Sequence, residues 1–258
     1  METCKNPVVF VGAGPGDPGL LTLRGKDALE SADLVLYAGS LVNERILDFC
    51  PPECRKVDSS PLPLEKQVDL MAGAALGGKR VVRLHTGDPS LFGAVSEQKD
   101  ALEARGVSVA FVPGVSSLQA SAAALGIQYT VPGGNQTVIC TRRSGRTPVP
   151  PQEDLCLLAS HGTTMVIFLS ADQAGDVAAD LMAGGFPAET PSACVYRASW
   201  DDEKILRAPL HLLPALMAEH GIDRHALIIA GRCLSPGDAR SLLYSPGFAH
   251  GRRKEKAP

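Results

Sequence analysis

The alternation of apolar and polar positions predicts strands and helices that follow one another along the chain. Short runs of β-branched and apolar residues, each bounded by glycine, proline or polar residues, have the length of buried strands. In the first half, the predicted strands are residues 8–11, 34–37, 56–57, 81–84 and 107–112. Stretches with apolar residues at helical spacing separate them, and Thr22 stands where the first of these helices needs an N-cap.

The second half continues the same alternation. Its predicted strands are residues 137–140, 165–169, 193–196, 205–206 and 227–230, and its predicted helices are residues 118–125, 155–160, 174–183 and 210–220. Strands that alternate with helices are typical of right-handed crossovers and mostly parallel sheets. We therefore predict an α/β fold of two domains, and a disordered basic tail after them. The predicted segments are residues 1–113, 114–246 and 247–258, with a hinge at the Pro-Gly pair 113–114.

A glycine-rich turn follows the first predicted strand, at residues 12–17. In an α/β domain such a turn lets backbone approach a ligand at the carboxyl end of a strand. A dinucleotide fingerprint would need a third glycine where Asp17 stands, and Pro15 lacks the N–H that could bind a phosphate. Ala38 also stands near the position of the expected ribose-binding acid. The turn therefore suits a ligand without phosphates, and a tight turn without any ligand is the alternative.

Two more strand ends carry unusual turns, at residues 86–93 and 113–117. Gly87 lets backbone approach a ligand, and Asp88 can accept hydrogen bonds from hydroxyl or ammonium groups. An Asp-Pro turn is often only structural, but one at the end of a buried strand, after His85 and Thr86, is more specific. We interpret His85 as a residue that orients this turn rather than as a base.

A loop at residues 141–151 contains three arginines, Arg142, Arg143 and Arg146, and three prolines. Arginine binds carboxylates through bidentate pairs, so a proline-stiffened loop of this kind indicates an anionic substrate. A solvated loop is the alternative. The polar cluster at residues 200–204, around the only tryptophan, fits either a solvated hairpin or a wall of the site.

The composition excludes several classes of protein. A chain of 258 residues with 45% hydrophobic and 21% charged residues is ordinary for a globular protein. A net charge of −3 argues against a nucleic-acid binder. The N-terminus does not resemble a signal peptide, and no apolar run has the length of a membrane span, so we expect a cytoplasmic protein without a membrane partner.

The titratable side chains show no metal-site or nucleophile motif. The seven cysteines are dispersed, and only Cys50 and Cys54 lie close in sequence, so we expect free thiols in a reducing compartment and no zinc site. The six histidines lack metal-ligand spacing, and no Gly-x-Ser-x-Gly elbow is present. We predict no metal, and the sequence singles out no catalytic side chain.

The turns together resemble the tetrapyrrole methyltransferase family. The first-half motifs that carry the resemblance are Val-Gly-Ala-Gly-Pro-Gly-Asp (11–17), Leu-Tyr-Ala-Gly-Ser-Leu-Val (36–42), His-Thr-Gly-Asp-Pro (85–89) and Val-Pro-Gly-Val-Ser-Ser (112–117). Second-half motifs, Gly-Arg-Thr-Pro-Val-Pro (145–150) and Trp-x-Asp-Glu-Lys-Ile (200–205) among them, resemble the precorrin-4 C11-methyltransferases of cobalamin biosynthesis. The resemblance covers nearly everything from residue 7 to about residue 234.

The resemblance implies a homodimeric methyltransferase with S-adenosylmethionine in a cleft between the two domains and S-adenosylhomocysteine as product. The positions that match family cofactor contacts are Pro15, Thr86, Gly87, Asp88, Leu91, Ser116, Ser117, Leu169, Ala198 and Ala226. The resemblance also implies that Arg142 and Arg146 hold the acetate and propionate arms of the tetrapyrrole, which leaves Arg143 to face solvent.

One difference from the family pattern narrows the range of expected substrates. Relatives that methylate uroporphyrinogen III carry an aspartate where Ala38 stands and a lysine further on. This chain has no aspartate at position 38 and no lysine at residues 58–60. A methyltransferase that acts at another ring position, diphthine synthase and a non-catalytic tetrapyrrole carrier remain alternatives. The sequence leaves open whether the substrate contains cobalt.

Overall fold

The chain folds into two α/β units, each built on a five-stranded sheet. The computed structural model describes residues 6–237 and, beyond them, residues 240, 241, 243, 245, 248 and 249. The first unit contains the residues up to Ala120 together with Arg197–Asp202, and the second contains Ser121–Tyr196 and the residues from Glu203 onward. The domain boundary predicted at 113–114 lies just before this division. Apart from residues 248 and 249, the predicted tail at 247–258 lies outside the described residues.

The sheet of the first unit is parallel throughout, as the alternating pattern predicts. Its strands lie in the order β3-β2-β4-β1-β5. They are β1 (Val8–Gly12), β2 (Leu34–Tyr37), β3 (Arg55–Asp58), β4 (Val81–His85) and β5 (Val109–Val112). The helices are α1 (Leu23–Glu30), α2 (Leu64–Leu76), α3 (Val95–Glu103) and α4 (Ser117–Leu125), of which α4 crosses the division between the units.

Helices cover the two faces of this sheet because apolar side chains alternate along its buried strands. Val11 and Val35 pack with Leu29 of α1 in one cluster. Phe10 belongs to a second cluster, which contains Met71 and other buried residues of α2 and α3. Each such side chain stabilises the fold by about 1.5–3 kcal/mol when it is fully buried. The two clusters fix the strands between them.

The register of this sheet brings three strand ends to one level. Gly12 pairs with His85, and Val11 pairs with Val112, so β1, β4 and β5 end side by side. In an open parallel sheet, ligands bind outside the carboxyl ends of the strands. The turns at 12–17, 86–93 and 113–117 all start at this edge.

The sheet of the second unit is mixed. Its strands lie in the order β6-β7-β10-β8-β9. They are β6 (Val138–Arg142), β7 (Thr164–Phe168), β8 (Pro191–Tyr196), β9 (Lys204–Pro209) and β10 (Ala226–Ala230), and the helices are α5 (Leu155–Ala159), α6 (Ala174–Ala183) and α7 (Leu213–Glu219). Only β6 and β7 pair in parallel among the strands that the structure describes here.

The predicted α/β fold of two domains is confirmed, and pairing across the two sheets together is mostly parallel. For the second sheet alone, the prediction of mostly parallel strands is wrong. Residues 197–203 are the only connection between β8 and β9, and a parallel crossover needs a dozen residues or more. Apolar runs mark a buried strand but do not encode its direction.

The second unit has its own core. Met165 and Ile167 of β7 pack with Leu181 of α6 and Met217 of α7, all of them almost fully buried. Among the residues that the structure describes, no helix combines the length and the apolar character that a membrane crossing requires.

Candidate active site

Backbone hydrogen bonds hold the turns at 12–17 and 86–93 against each other. The N–H of Ala13 donates to the carbonyl of His85, with N and O 2.7 Å apart. Gly14 and Gly87 exchange two hydrogen bonds of 3.2 and 2.8 Å and form an isolated bridge. Both glycines have positive φ values, +79° and +61°, which a side chain would disfavour. The glycines that the sequence indicated therefore build the turn pair.

The third turn packs so closely on the other two that only glycine fits. A Cβ atom added to Gly114 would lie 2.2 Å from the carbonyl oxygen of Gly87 and 2.7 Å from Cα of Gly12. A Cβ atom on Gly12 would lie 2.6 Å from Cα of Gly114. One glycine from each turn therefore meets the others, and together they form a backbone-lined floor at the carboxyl edge.

Asp88 ties the second turn to the third. Its Oδ2 accepts from the N–H of Gly114 at 2.8 Å, while its Oδ1 accepts from the N–H of Ser90 at 2.9 Å and from the Ser90 hydroxyl. Partial burial acts to raise the pKa of Asp88, but these hydrogen bonds outweigh it and hold the pKa below the ordinary value. The carboxyl group is therefore an ionised part of the turn framework, and its contact with a cofactor stays a prediction.

We expect Asp88→Asn to lower the free energy of unfolding by about 1–3 kcal/mol at neutral pH, because the amide has one acceptor oxygen where the carboxylate has two. The N–H of either Gly114 or Ser90 then loses its acceptor. A lowered native pKa stabilises the fold above the unfolded value of about 4 and loses this effect as the pH falls through the native pKa. Urea unfolding between about pH 7 and pH 3 measures this. The wild type should lose its advantage over the variant at the acidic end, and a constant difference would contradict the assignment.

The other predicted cofactor residues of these turns occupy different environments. Ser116 is buried, and its Oγ accepts from the N–H of Leu118 at 3.2 Å, which makes it the N-cap of α4. Ser117 is the first residue of that helix. Thr86 and Leu91 are exposed at the edge.

His85 lies beneath this floor rather than on it. Its ring is almost fully buried and is 5.5 Å from the ring of Phe10. Burial, and to a smaller extent the charge of Arg83, lower the pKa of His85 to about 3. The side chain is therefore neutral at physiological pH, and the backbone carbonyl of His85 holds the turn.

The segment Arg197–Asp202 belongs to the first unit and lies on the turn at 12–17. The indole N–H of Trp200 donates to the carbonyl of Pro15 at 2.8 Å, and the N–H of Asp17 donates to the Ser199 hydroxyl at 3.0 Å. Ala198, a predicted cofactor contact, is buried within the segment. The sequence contains a single tryptophan, whose role is open between a hairpin and a wall of the site, and no local pattern links it to a turn 185 residues earlier.

The charge of the three turns distinguishes between ligand classes. The turns contain the carboxylates of Asp17 and Asp88 and no lysine or arginine. The Asp17 carboxylate accepts from the N–H of Gly19 at 2.7 Å and caps a short 3₁₀ helix, Pro18–Leu20. Such a site favours a cation over a phosphate.

In the second unit, the predicted site residues share one edge of the mixed sheet. Arg142 at the end of β6 pairs with Phe168, and Leu169 follows directly. Ala226, half-buried at the start of β10, pairs with Tyr196, and the antiparallel register with β7 brings it level with Leu169. Leu169 has a positive φ of +51° and is 68% exposed.

Arg143 does not face solvent, so this prediction is wrong. Its Nε–H donates to Asp180 at 2.6 Å, and its guanidinium also contacts Gln173 at 2.6 Å and Asp176 at 3.2 Å. The hydrogen bond with Asp180, above all, raises the pKa of Arg143. Asp176 and Asp180 lie on α6, and the sequence of residues 141–151 gives no indication that this helix packs against the loop. Arg143 therefore anchors the loop.

The other two arginines of this loop differ in what they contact. The guanidinium of Arg142 donates to the carbonyls of Thr147 and Pro148 at 2.9 and 2.8 Å and so shapes its own loop. Arg146 is exposed, and it makes no hydrogen bond or ion pair within the part of the chain that the structure describes. Its guanidinium is fully available to an anionic ligand, whereas that of Arg142 is partly engaged by its own loop.

The described residues hold no group of three or more histidine, cysteine, aspartate or glutamate side chains arranged for a metal ion.

The predicted site residues form two sets. The first unit contains the backbone floor with its carboxylates, and the second contains the arginine loop together with Leu169 and Ala226.

Known proteins resemble this chain over most of its length. The cobalt-precorrin-4 C(11)-methyltransferase of Methanocaldococcus jannaschii is 49% identical, over 96% of this chain and 96% of that protein. The precorrin-4 C(11)-methyltransferase of Mycobacterium tuberculosis is 44% identical, over 95% of this chain and 98% of that protein.

Solved structures agree with these relatives. A cobalt precorrin-4 methyltransferase has a TM-score of 0.87 and 42% identity, over 89% of this chain and 96% of that chain. A uroporphyrin-III C-methyl transferase from Thermus thermophilus, complexed with S-adenyl homocysteine, has a TM-score of 0.74 and 33% identity, over 88% and 98%. The sequence model of the family described as tetrapyrrole (corrin/porphyrin) methylases matches residues 7–214 of this chain. The chain therefore belongs to the tetrapyrrole (corrin/porphyrin) methylase family.

Proposed function

We propose that this protein is an S-adenosylmethionine-dependent methyltransferase that methylates C11 of precorrin-4 or cobalt-precorrin-4 in cobalamin biosynthesis. The observation that carries the proposal is the 49% identity to a relative of that name over 96% of both chains. Ala38, in place of the aspartate expected of enzymes that act on uroporphyrinogen III, supports the corrin substrate.

The floor of the first unit fits S-adenosylmethionine. This cofactor has a sulfonium and an ammonium group but no phosphate. The turns offer Asp88, whose pKa lies below the ordinary value, and Asp17. The glycines let the three turns meet backbone to backbone, and none of these turns carries a lysine or arginine. The cofactor residues within the first unit would be Pro15, Thr86, Gly87, Asp88, Leu91, Ser116, Ser117 and Ala198. Leu169 and Ala226, on the second unit, stay predictions of the same kind.

The arginine loop supports an anionic tetrapyrrole. Arg146 presents a free guanidinium, and Arg142 holds the loop that carries it while keeping donors for a second carboxylate. Arg143 fixes the base of the loop on α6 through Asp180. Bidentate pairs with carboxylates would set both the register and the face of a flat ring.

The residues need only bind and orient the reactants. S-adenosylmethionine supplies a methyl group already activated by its sulfonium, so an electron-rich ring carbon can accept it in line. Orientation of this kind accounts for up to about 7–11 kcal/mol of barrier lowering in well-ordered systems. The rigid glycine floor and the anchored loop are suited to that task, and His85, neutral and buried, is left outside it.

The resemblance further supports a homodimer, and the free thiols Cys50, Cys54, Cys140, Cys156, Cys194 and Cys233 support a reducing, cytoplasmic location. A non-catalytic carrier would need the arginine loop but not the glycine floor, so the floor favours an enzyme.

Incubation with S-adenosylmethionine and either precorrin-4 or cobalt-precorrin-4 tests the proposal. We expect the tetrapyrrole to gain one methyl group, located at C11 by NMR, with S-adenosylhomocysteine as co-product. NAD should not bind in calorimetry, because Pro15 and Asp17 replace phosphate donors. Tight binding of NAD, or methylation at another carbon, would contradict the assignment.

A further inference from the structure

Trp200 closes a set of contacts around the turn at 12–17. Its Nε1–H donates to the carbonyl oxygen of Pro15 at 2.8 Å. The ring lies against the next residue, because a Cβ atom added to Gly16 would be 2.2 Å from Cδ1 and Nε1 of the indole. The N–H of Asp17 donates to Ser199 of the same segment at 3.0 Å. Three successive residues of the turn are therefore fixed by two residues of Arg197–Asp202.

The indole is itself held in place. The guanidinium of Arg197 lies 3.9 Å from the centroid of the Trp200 ring and donates to Asp202 at 2.6 Å. Arg197 and Ser199 have positive φ values of +45° and +70°, a conformation that residues with side chains adopt only where their surroundings enforce it. The segment is thus a rigid support.

We propose that Trp200 is a positioning residue for the methyl donor. The inference rests on the proposed function, which assigns Pro15 and Ala198 to the cofactor. These two residues come from stretches far apart in the chain, and the side chain of Trp200, together with that of Ser199, bonds one stretch to the other. Its indole N–H fixes the Pro15 carbonyl through a hydrogen bond, and its ring packs against the backbone of Gly16. Donor affinity therefore depends on Trp200, whereas the transfer step does not involve it directly.

Trp200 also reports on the site, because it is the only tryptophan of the chain. Titration of the wild type with S-adenosylhomocysteine should change the tryptophan emission with a saturable curve. The Kd from this curve should equal the Kd from calorimetry. This measurement needs no variant, and calorimetric binding without any change in emission would overturn the inference.

Trp200→Phe keeps an aromatic ring and removes the donor N–H. Since a net hydrogen bond contributes modestly to binding, we expect the calorimetric Kd for S-adenosylhomocysteine to rise about three- to tenfold. The KM for S-adenosylmethionine should rise alongside, while kcat changes less than about twofold, because the reacting groups are intact. Trp200→Leu should weaken binding further than Trp200→Phe, since it also removes the ring over Gly16.

Asp201→Asn is the matched control in the same segment. Its side chain is 94% exposed and lies 3.6 Å from Arg45, so the Kd should not change. An unchanged Kd in Trp200→Phe would overturn the inference and leave the proposed function intact. No calorimetric binding of S-adenosylhomocysteine by the wild type would instead overturn the proposed function, and the inference with it.

Discussion

Replacing Arg146 with alanine should raise the Michaelis constant for the tetrapyrrole about ten- to a hundredfold and leave the Kd of the methyl donor nearly unchanged. Hydrogen bonds to a charged group each contribute about 1.5–3 kcal/mol, and about 1.4 kcal/mol corresponds to a tenfold change. Arg146 is exposed and makes no hydrogen bond or ion pair within the described chain, so its loss should weaken substrate binding and change little else. Kinetics with both substrates varied measure the two constants separately.

Two other variants of the loop provide the contrast. Arg146→Lys should recover only part of the affinity, because an ammonium group cannot reproduce the planar fork. Arg143→Ala should lower the melting temperature, since it leaves Asp180 on α6 without its 2.6 Å partner, whereas Arg146→Ala should not. If the donor constant changes in Arg146→Ala and the tetrapyrrole constant does not, the loop binds the other ligand.

The sequence was sufficient to predict the strands because each is a short apolar run between turn residues. The predicted strand at 34–37 coincides with β2, and the predicted helix at 174–183 coincides with α6. The helix predicted at 210–220 is shorter, Leu213–Glu219, because Pro214 favours the first turn of a helix. The 3₁₀ helix Glu44–Phe49 was not predicted, since it lacks a regular apolar period.

The sequence predicts the positions of the turns, where the backbone chemistry is local, but not the contacts that depend on distant partners. The glycines at 14 and 87 lie in the turns that the sequence predicts, and both adopt a positive φ, which glycine permits. By contrast, the partners of Arg143 lie on α6, and the partner of Trp200 lies at the other end of the chain. Such contacts are set by the packing of whole elements, which a local pattern of residues does not contain. Strand direction in the second sheet was missed for the same reason.

The glycine floor leads to the second large effect. Gly114→Ala should lower the free energy of unfolding by about 1–3 kcal/mol or more and raise the Kd for S-adenosylhomocysteine at least about tenfold. The added methyl group would lie 2.2 Å from the carbonyl oxygen of Gly87 and 2.7 Å from Cα of Gly12, and neither is a flexible side chain that could move aside. The three turns would have to separate, and the Asp88–Gly114 hydrogen bond of 2.8 Å would be strained.

Gly73→Ala is the matched control for this substitution. Gly73 lies within α2 with no atom within 4 Å of an added Cβ, so alanine should stabilise the protein by about 0.5–1 kcal/mol and leave the Kd unchanged. Calorimetry at a temperature where both variants are folded separates lost affinity from lost stability. If Gly114→Ala binds S-adenosylhomocysteine as the wild type does, the contact of the three turns serves the fold alone. The methyl donor would then bind elsewhere than on the glycine floor.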